Sequence, residues 1–436
     1  MMTAMIHTRS LDLGRFAWEK RRMQRSGTCG ASDTPPASLG RRSLLRASAG
    51  AVGAALTGGA AGALGPAAHA ATPAPRTPSM DPVPLPAPSG PCPVGTTRLH
   101  LVDTRRTDPY APTRTPRELM VQLWYAADGG SARTTAPYLT GGLLPLVEQR
   151  FTLPAGSLSR VRTQSRAGAP VSRALRDAPL ILYSPGRQDP AATGTAFAQE
   201  LASQGCVVAG VNHTYDGPVE FPDGRVVPGN PPTSDPEELR RYSDVRAADL
   251  RFVLDVLSGE RGPSPAPAVS AAVDFGRVGA FGHSLGGSAS AEALRTDARF
   301  SAGVVLDGRL RTDAVRTGLT RPFMLFTEDS TDAGWDAFMA AHRAWGRKVN
   351  LLGTRHYGVT DLAPLGVGLE LADTWPPERF QRFFGSLDGR RAQAVTSRYV
   401  AAFFGLHLCG RAAPELDAPG ADLPEVRIAW RQEAEG

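Results

Sequence analysis

The chain has 436 residues, four cysteines, 42% hydrophobic residues and a formal net charge of +6. The basic excess sits at the start: residues 1–70 hold nine Arg and Lys against three Asp and Glu, and the remainder carries no net charge. Nucleic acid and acidic surfaces therefore gain no support as partners, and the length fits one large domain or two of medium size.

Residues 1–70 read as a twin-arginine export signal. Gly40 to Arg46 carries the Arg41-Arg42 pair, a weakly apolar Ala/Gly stretch runs from Ala47 to Ala67, and Ala68-His69-Ala70 puts small residues where a signal peptidase reads them. Only Leu56 and Leu64 are strongly apolar there, so cleavage before Ala71 is expected rather than a membrane anchor. The expected destination is extracellular. Cys29 would leave with the leader. Cys206 opens an apolar run and is expected as a buried thiol, while Cys92 and Cys409 lie near the two ends of the remaining chain. A Cys92–Cys409 disulfide would suit an oxidising compartment, but spacing alone leaves the pairing open.

Residues 71–94 are proline-rich and are expected to form an extended, unpacked linker. Thr96–Val102 and Glu118–Tyr125 follow as strands, and residues 127–178 give mixed signals in which Leu143–Val147 could begin a helix over the site. Pro179–Tyr183 is a continuous apolar run, as a buried parallel strand requires. A helix over Ala191–Ser203, a strand over Cys206–Val211 and a long Gly/Pro-rich loop come next. Asp235, Pro236 and Glu238 mark the start of another helix, with Ala248, Phe252, Val253, Val256 and Leu257 as its apolar face. Strands are expected at Val278–Phe281, Ala302–Leu306, Phe323–Phe326 and Gly346–Leu352, and a last helix at Ala392–Leu406. Strands alternating with helices imply one doubly wound, mostly parallel α/β sheet with helices on both faces, in a single catalytic domain over residues 95–436.

Gly282-His283-Ser284-Leu285-Gly286, between an apolar run and a small-residue helix, fits the nucleophile elbow of α/β-hydrolases. A serine on so sharp a turn sits in a strained conformation, and glycines flank it because side chains there would strike the neighbouring strand and helix. Ser284 needs a base, and the base needs an acid to hold its tautomer, in the chain order Ser, acid, His. Of the downstream histidines, His342 is expected on the surface and His407 near a helix end, whereas His356 falls in a loop directly after a strand. The acid is either Asp307, ending one strand, or Glu328 or Asp329, ending the next. Two amides must face the oxyanion: Leu285 N–H, and Gly186 or Arg187 after Pro185, with Arg187 preferred.

These stretches resemble the platelet-activating factor acetylhydrolase family, of the plasma, lipoprotein-associated type, and related bacterial esterases and lipases. The resemblance is carried by Leu119–Tyr125, Pro179–Gly186, Gly282–Gly287, Asp307 after Val-Val-Leu, and Gly353 to His356 running on to Thr360-Asp361-Leu362. It implies an α/β-hydrolase fold, Asp307 as the acid, Arg187 as the second oxyanion amide, and no metal or cofactor. The family often has His where this chain has Pro185, which bears on the acetyl-phospholipid substrate. The expectation is an exported serine esterase for lipid or short- to medium-chain esters, with transient contact with a lipid surface and no nucleic-acid partner. A serine peptidase would use the same three residues, and a non-catalytic binding domain is the third reading. Ala363–Val367 and Leu143–Val147 either line an acyl pocket or are ordinary core and cover.

Overall fold

A computed structural model describes residues 81–129 and 134–434. The export leader, its twin-arginine stretch, Cys29 and the first part of the expected linker, residues 71–80, lie outside the described residues.

One 12-stranded sheet organises the chain. Its main strands are β1 (Val94–Thr107), β2 (Pro116–Ala126), β3 (Val161–Ala167), β4 (Ala178–Ser184), β5 (Val207–His213), β6 (Val273–His283), β7 (Phe300–Leu306), β8 (Phe323–Glu328), β9 (Gly346–Leu351) and β10 (Val426–Gln432). They lie in the order β3-β1-β2-β5-β4-β6-β7-β8-β9-β10, with Val83–Pro84 and Thr135–Pro137 both paired to β3. The run β5-β4-β6-β7-β8-β9 is parallel throughout, while β2 and β10 join it antiparallel. The central strands are apolar without alternation because helices cover both faces; every residue of β4 is buried.

The covering helices are α1 (Leu144–Phe151), α2 (Thr195–Ser203), α3 (Pro236–Leu257), α4 (Leu285–Thr296), α5 (Ala333–Ala341), α6 (Leu362–Gly368), α7 (Pro377–Phe384) and α8 (Gly389–Cys409). Asp235 caps α3 by accepting the Glu237 amide at 3.0 Å, and Asp332 caps α5 in the same way. One core packs α3 and α4 against one face; the other packs α2 and α8, with Phe197, Tyr399 and Phe404, against the opposite face. Among the described residues no helix is long and apolar enough to cross a membrane.

Several expectations are corrected. The proline-rich stretch is not unpacked from Asp81 on: Val83, Leu85 and Cys92 are buried, and Val83–Pro84 pair with β3. Apolar residues spaced between the prolines give it something to bury. Cys92 and Cys409 are not bonded to each other. Cys409 instead acts on Cys206, whose thiol is pushed up to about 12, first by burial and then by that neighbour. His342 is fully buried at the end of α5, its Nδ1 accepting the Leu319 amide and its Nε2 donating to the Trp345 carbonyl. On α3, Ala248 and Val256 are only half-buried, and Tyr242, Arg246 and Asp249 take part in the inward face instead.

Candidate active site

The carboxyl ends of β4, β6 and β7 converge on the site, where open parallel sheets bind ligands. Ser284 follows β6 with φ 53° and ψ −121°, a conformation that only a well-braced turn can hold in a non-glycine residue. Close packing supplies the bracing. A Cβ at Gly286 would sit 1.9 Å from the Ser184 carbonyl oxygen, so the first turn of α4 can approach β4 only without a side chain there. The Ser284 amide donates to the Leu306 carbonyl at 2.9 Å and ties the turn to β7.

The Ser284 hydroxyl lies 3.0 Å from His356 Nε2, and His356 Nδ1 lies 2.6 Å from Asp307 Oδ2. Asp307 is itself in the left-handed region, with φ 46°. Its amide donates to the Phe326 carbonyl at 2.8 Å, and its Oδ1 accepts the Glu328 amide at 3.0 Å. Glu328 thus meets Asp307 through its backbone, while its own carboxylate pairs with Arg355. Asp329 faces away, onto Asn350 and Arg427. Burial works against charge on both members of the Asp307–His356 pair, but their mutual attraction outweighs it. Asp307 is held below, and His356 above, its ordinary value.

The His356 loop is pinned from two sides. Flanking amides of Arg355 and Tyr357 donate to the Phe384 and Phe383 carbonyls, both at 3.1 Å. His283, fully buried inside the elbow motif, donates through Nε2 to the His356 carbonyl at 2.8 Å, with ring centroids 4.6 Å apart. Burial, and then the neighbouring His356 charge, push His283 down to about 3, so it is a neutral strut at ordinary pH.

On the opposite side, the loop Ser184–Arg187 leaves β4. Arg187 and Leu285 both line the cleft at Ser284, and neither backbone amide donates to another backbone carbonyl among the described residues. Arg246, fully buried on α3, holds this loop: it donates to the Pro185 and Gly186 carbonyls and pairs with buried Asp216. Arg150 on α1 joins the two sides, donating to Asp189 at 2.9 Å, to the Arg187 carbonyl at 2.8 Å and to the Tyr357 hydroxyl at 3.1 Å.

Sequence reasoning missed Arg246, Arg150, Asp189 and the reach of His283. Only α3 carried a signal: Tyr242, Arg246, Asp249 and Val253 recur at helical spacing, an inward stripe on which two members are charged.

The cleft holds about 480 Å³ and is lined by Arg187, Leu239, Ser284, Leu285, Asp307, Arg309, Arg311, Glu328, Ser330, Thr331, Trp335 and His356. Leu143, Val147, Ala363 and Leu365 do not line it. They belong to a separate apolar cluster with Phe151, Trp375 and Phe384, where a void lined by Leu365 and several of these neighbours measures about 10 Å³. The void beside Leu365 has no room for an acyl chain, whereas Leu143 also lines a separate pocket of about 250 Å³ with Tyr138, Leu139 and Ala192.

No family model matches the chain. It is 28% identical over 372 residues to a probable 1-alkyl-2-acetylglycerophosphocholine esterase of Arthroderma benhamiae, covering 78% of this chain and 92% of the relative. It also resembles a solved ferulic acid esterase from Streptomyces cinnamoneus with a TM-score of 0.69 and 36% identity, over 80% of this chain and 99% of that one.

Proposed function

This chain belongs to the platelet-activating factor acetylhydrolase-like and related bacterial esterases of α/β-hydrolase fold and is a carboxylic ester hydrolase, and from that premise we propose that it works through Ser284, His356 and Asp307. His356 Nε2 takes the Ser284 proton as the hydroxyl oxygen attacks the ester carbonyl. The Leu285 and Arg187 amides receive the oxyanion, and the same imidazolium protonates the departing alcohol. Water, deprotonated by His356, then releases the acid and restores Ser284. Asp307 fixes the imidazole tautomer and steadies its charge.

The observation that carries this reading is the hydrogen-bonded chain of 3.0 Å and 2.6 Å from an elbow serine to a buried carboxylate. The largely polar lining of the cleft at Ser284 favours short acyl groups over long ones. The test is hydrolysis of p-nitrophenyl esters from acetyl to palmitoyl by the purified protein. Activity falling with chain length and lost in Ser284→Ala supports the reading; a rate that survives Ser284→Ala ends it.

Residues 1–70 are proposed to direct twin-arginine export, on the strength of Arg41-Arg42 and Ala68-His69-Ala70. Replacing both arginines by lysine should keep the protein in the cytoplasm, and unchanged secretion would refute this.

A further inference from the structure

The cleft that holds Ser284 is lined by charges that are not all paired. Three guanidinium groups line it, from Arg187, Arg309 and Arg311, beside three acidic side chains within or at its rim, Asp307, Glu328 and Asp332. Each carboxylate is already engaged. Asp307 holds His356, Glu328 holds Arg355 at 3.3 Å, and Asp332 holds Arg309 at 3.1 Å while capping α5. Arg311 feels the Asp332 charge only at a distance, because that carboxylate is paired with Arg309. Its side chain is half-buried, and its guanidinium has no hydrogen-bond or ion-pair partner among the described residues, although its amide is anchored on the Ser288 hydroxyl at 2.9 Å. Arg187 makes no direct ion pair either, although its charge acts on Asp216, which Arg246 already holds. It lies over the Tyr242 ring at 4.7 Å and donates to the Pro231 carbonyl at 2.9 Å, with its Nε left unsatisfied.

A guanidinium drawn partly out of water without a hydrogen-bonded counter-charge is unfavourable, the more so with a second cation nearby. Burial, and then the Arg309 charge, disfavour the charged form of Arg311, and the opposing pull of Asp332 does not make up the difference. The planar fork of an arginine is matched by a carboxylate or phosphate group, which would supply the missing charge and accept two of its hydrogens.

Resting on the esterase reading above, we propose that Arg311 is a specificity residue that selects esters bearing a second, anionic group, a carboxylate or phosphate carried on the part of the substrate that lies along the Arg309–Arg311 wall. The ester is cleaved as already described, and the anion is bound but not transformed. A purely aliphatic chain would meet only Leu239, Leu285 and Trp335 as large apolar side chains in this cleft.

The test compares matched esters that differ in that charge. On the acyl side, the p-nitrophenyl half-ester of adipate is set against p-nitrophenyl methyl adipate. On the alcohol side, para-acetoxybenzoate and para-acetoxyphenyl phosphate are each set against methyl para-acetoxybenzoate. The readout is the ratio of kcat/KM, anionic over neutral, in which any general loss of activity or fold cancels. In the native protein at least one ratio should exceed unity. It should fall about tenfold in Arg311→Gln, the scale of one charge-assisted pair in a partly wet site, and recover largely in Arg311→Lys. Which arm responds separates carboxylate from phosphate, and acyl side from alcohol side. Ratios that Arg311→Gln leaves unmoved, or a native preference for the neutral ester in every arm, would overturn the proposal while the esterase reading stands. Hydrolysis of none of the esters would instead strike the esterase reading itself.

Discussion

The molecule holds two Ser–His–Asp chains of nearly the same geometry. In one, Ser284 meets His356 at 3.0 Å and His356 meets Asp307 at 2.6 Å. In the other, Ser184 at the end of β4 meets His213 at 2.9 Å, and His213 meets Asp249 at 2.8 Å. Their surroundings diverge. The His356 side chain is 41% exposed, whereas Ser184, His213 and Asp249 are all sealed to 1% or less. Asp307 has one ionic partner in His356, but Asp249 is shared with Arg117 and Arg106, which satisfy its charge before the imidazole can. Burial is the leading cause that drives His213 down to about 4, so it stays neutral, while Asp307 lifts His356. The hydrogen-bond chain alone therefore does not make a nucleophile. Access, a strained turn that presents the hydroxyl, and a carboxylate still in need of a cation make the difference.

The sharpest way to break the comparison is chemical labelling. A fluorophosphonate should modify Ser284 and leave Ser184 untouched, and Ser284→Ala should lower kcat by about a thousandfold or more. Label recovered on a Ser184 peptide by mass spectrometry would show that the buried chain opens.

Asp307→Asn should cost several orders of magnitude in kcat, about ten thousandfold on the scale of a triad whose acid is neutralised. It also carries a pH signature. The base works in its neutral form, and Asp307 raises its pKa, so kcat/KM of the native protein should rise with pH through a midpoint above 6.5. In Asp307→Asn the residual activity should have its midpoint at lower pH. His213, neutral down to about 4, should add no inflection between those limits. A midpoint unmoved by the substitution would mean that another group sets the profile.

Arg246→Met tests the support beneath the Arg187 amide. It removes the partner of buried Asp216 and frees the Pro185 and Gly186 carbonyls. Stranding one buried charge should lower the unfolding free energy by about 3–5 kcal/mol, read by denaturant titration. A loss under about 1 kcal/mol would mean that the loop is held by packing instead.

What the sequence made legible follows from what is periodic or locally strained. Pro179–Tyr183 and Val278–Phe281 announced themselves as strands because both of their faces are apolar. The elbow showed itself because Gly286 cannot be anything else. By contrast β3 was unreadable: its inward residues include Thr163 and Ser165, which bond to the Ala136 carbonyl and Gln199, so its alternation is polar on both faces. Arginine-bearing β10 was missed because it is an edge strand with a half-exposed face. The second Ser–His–Asp chain was hidden for another reason. Its members come from β4, β5 and α3, 29 and 36 residues apart, and no local motif brings them together.

The smallest expected effect is the most discriminating. Ser184→Ala leaves His213 Nε2 as a buried acceptor facing no donor, while Nδ1 still donates to Asp249. The stability cost should be about 1–3 kcal/mol, with kcat close to native, because Arg246 loses only a long 3.4 Å contact with the Ser184 hydroxyl and keeps its bonds to the Pro185 and Gly186 carbonyls. The pH dependence adds a sign. His213 binds a proton less readily folded than unfolded, so its contribution to stability is present above 6.5 and is lost as pH falls from there towards 4. Removing the Ser184 hydroxyl takes away a donor to the neutral imidazole, which should raise the folded pKa and soften that acid loss. A collapse of kcat in Ser184→Ala with native stability would reverse the assignment and make the buried chain part of catalysis.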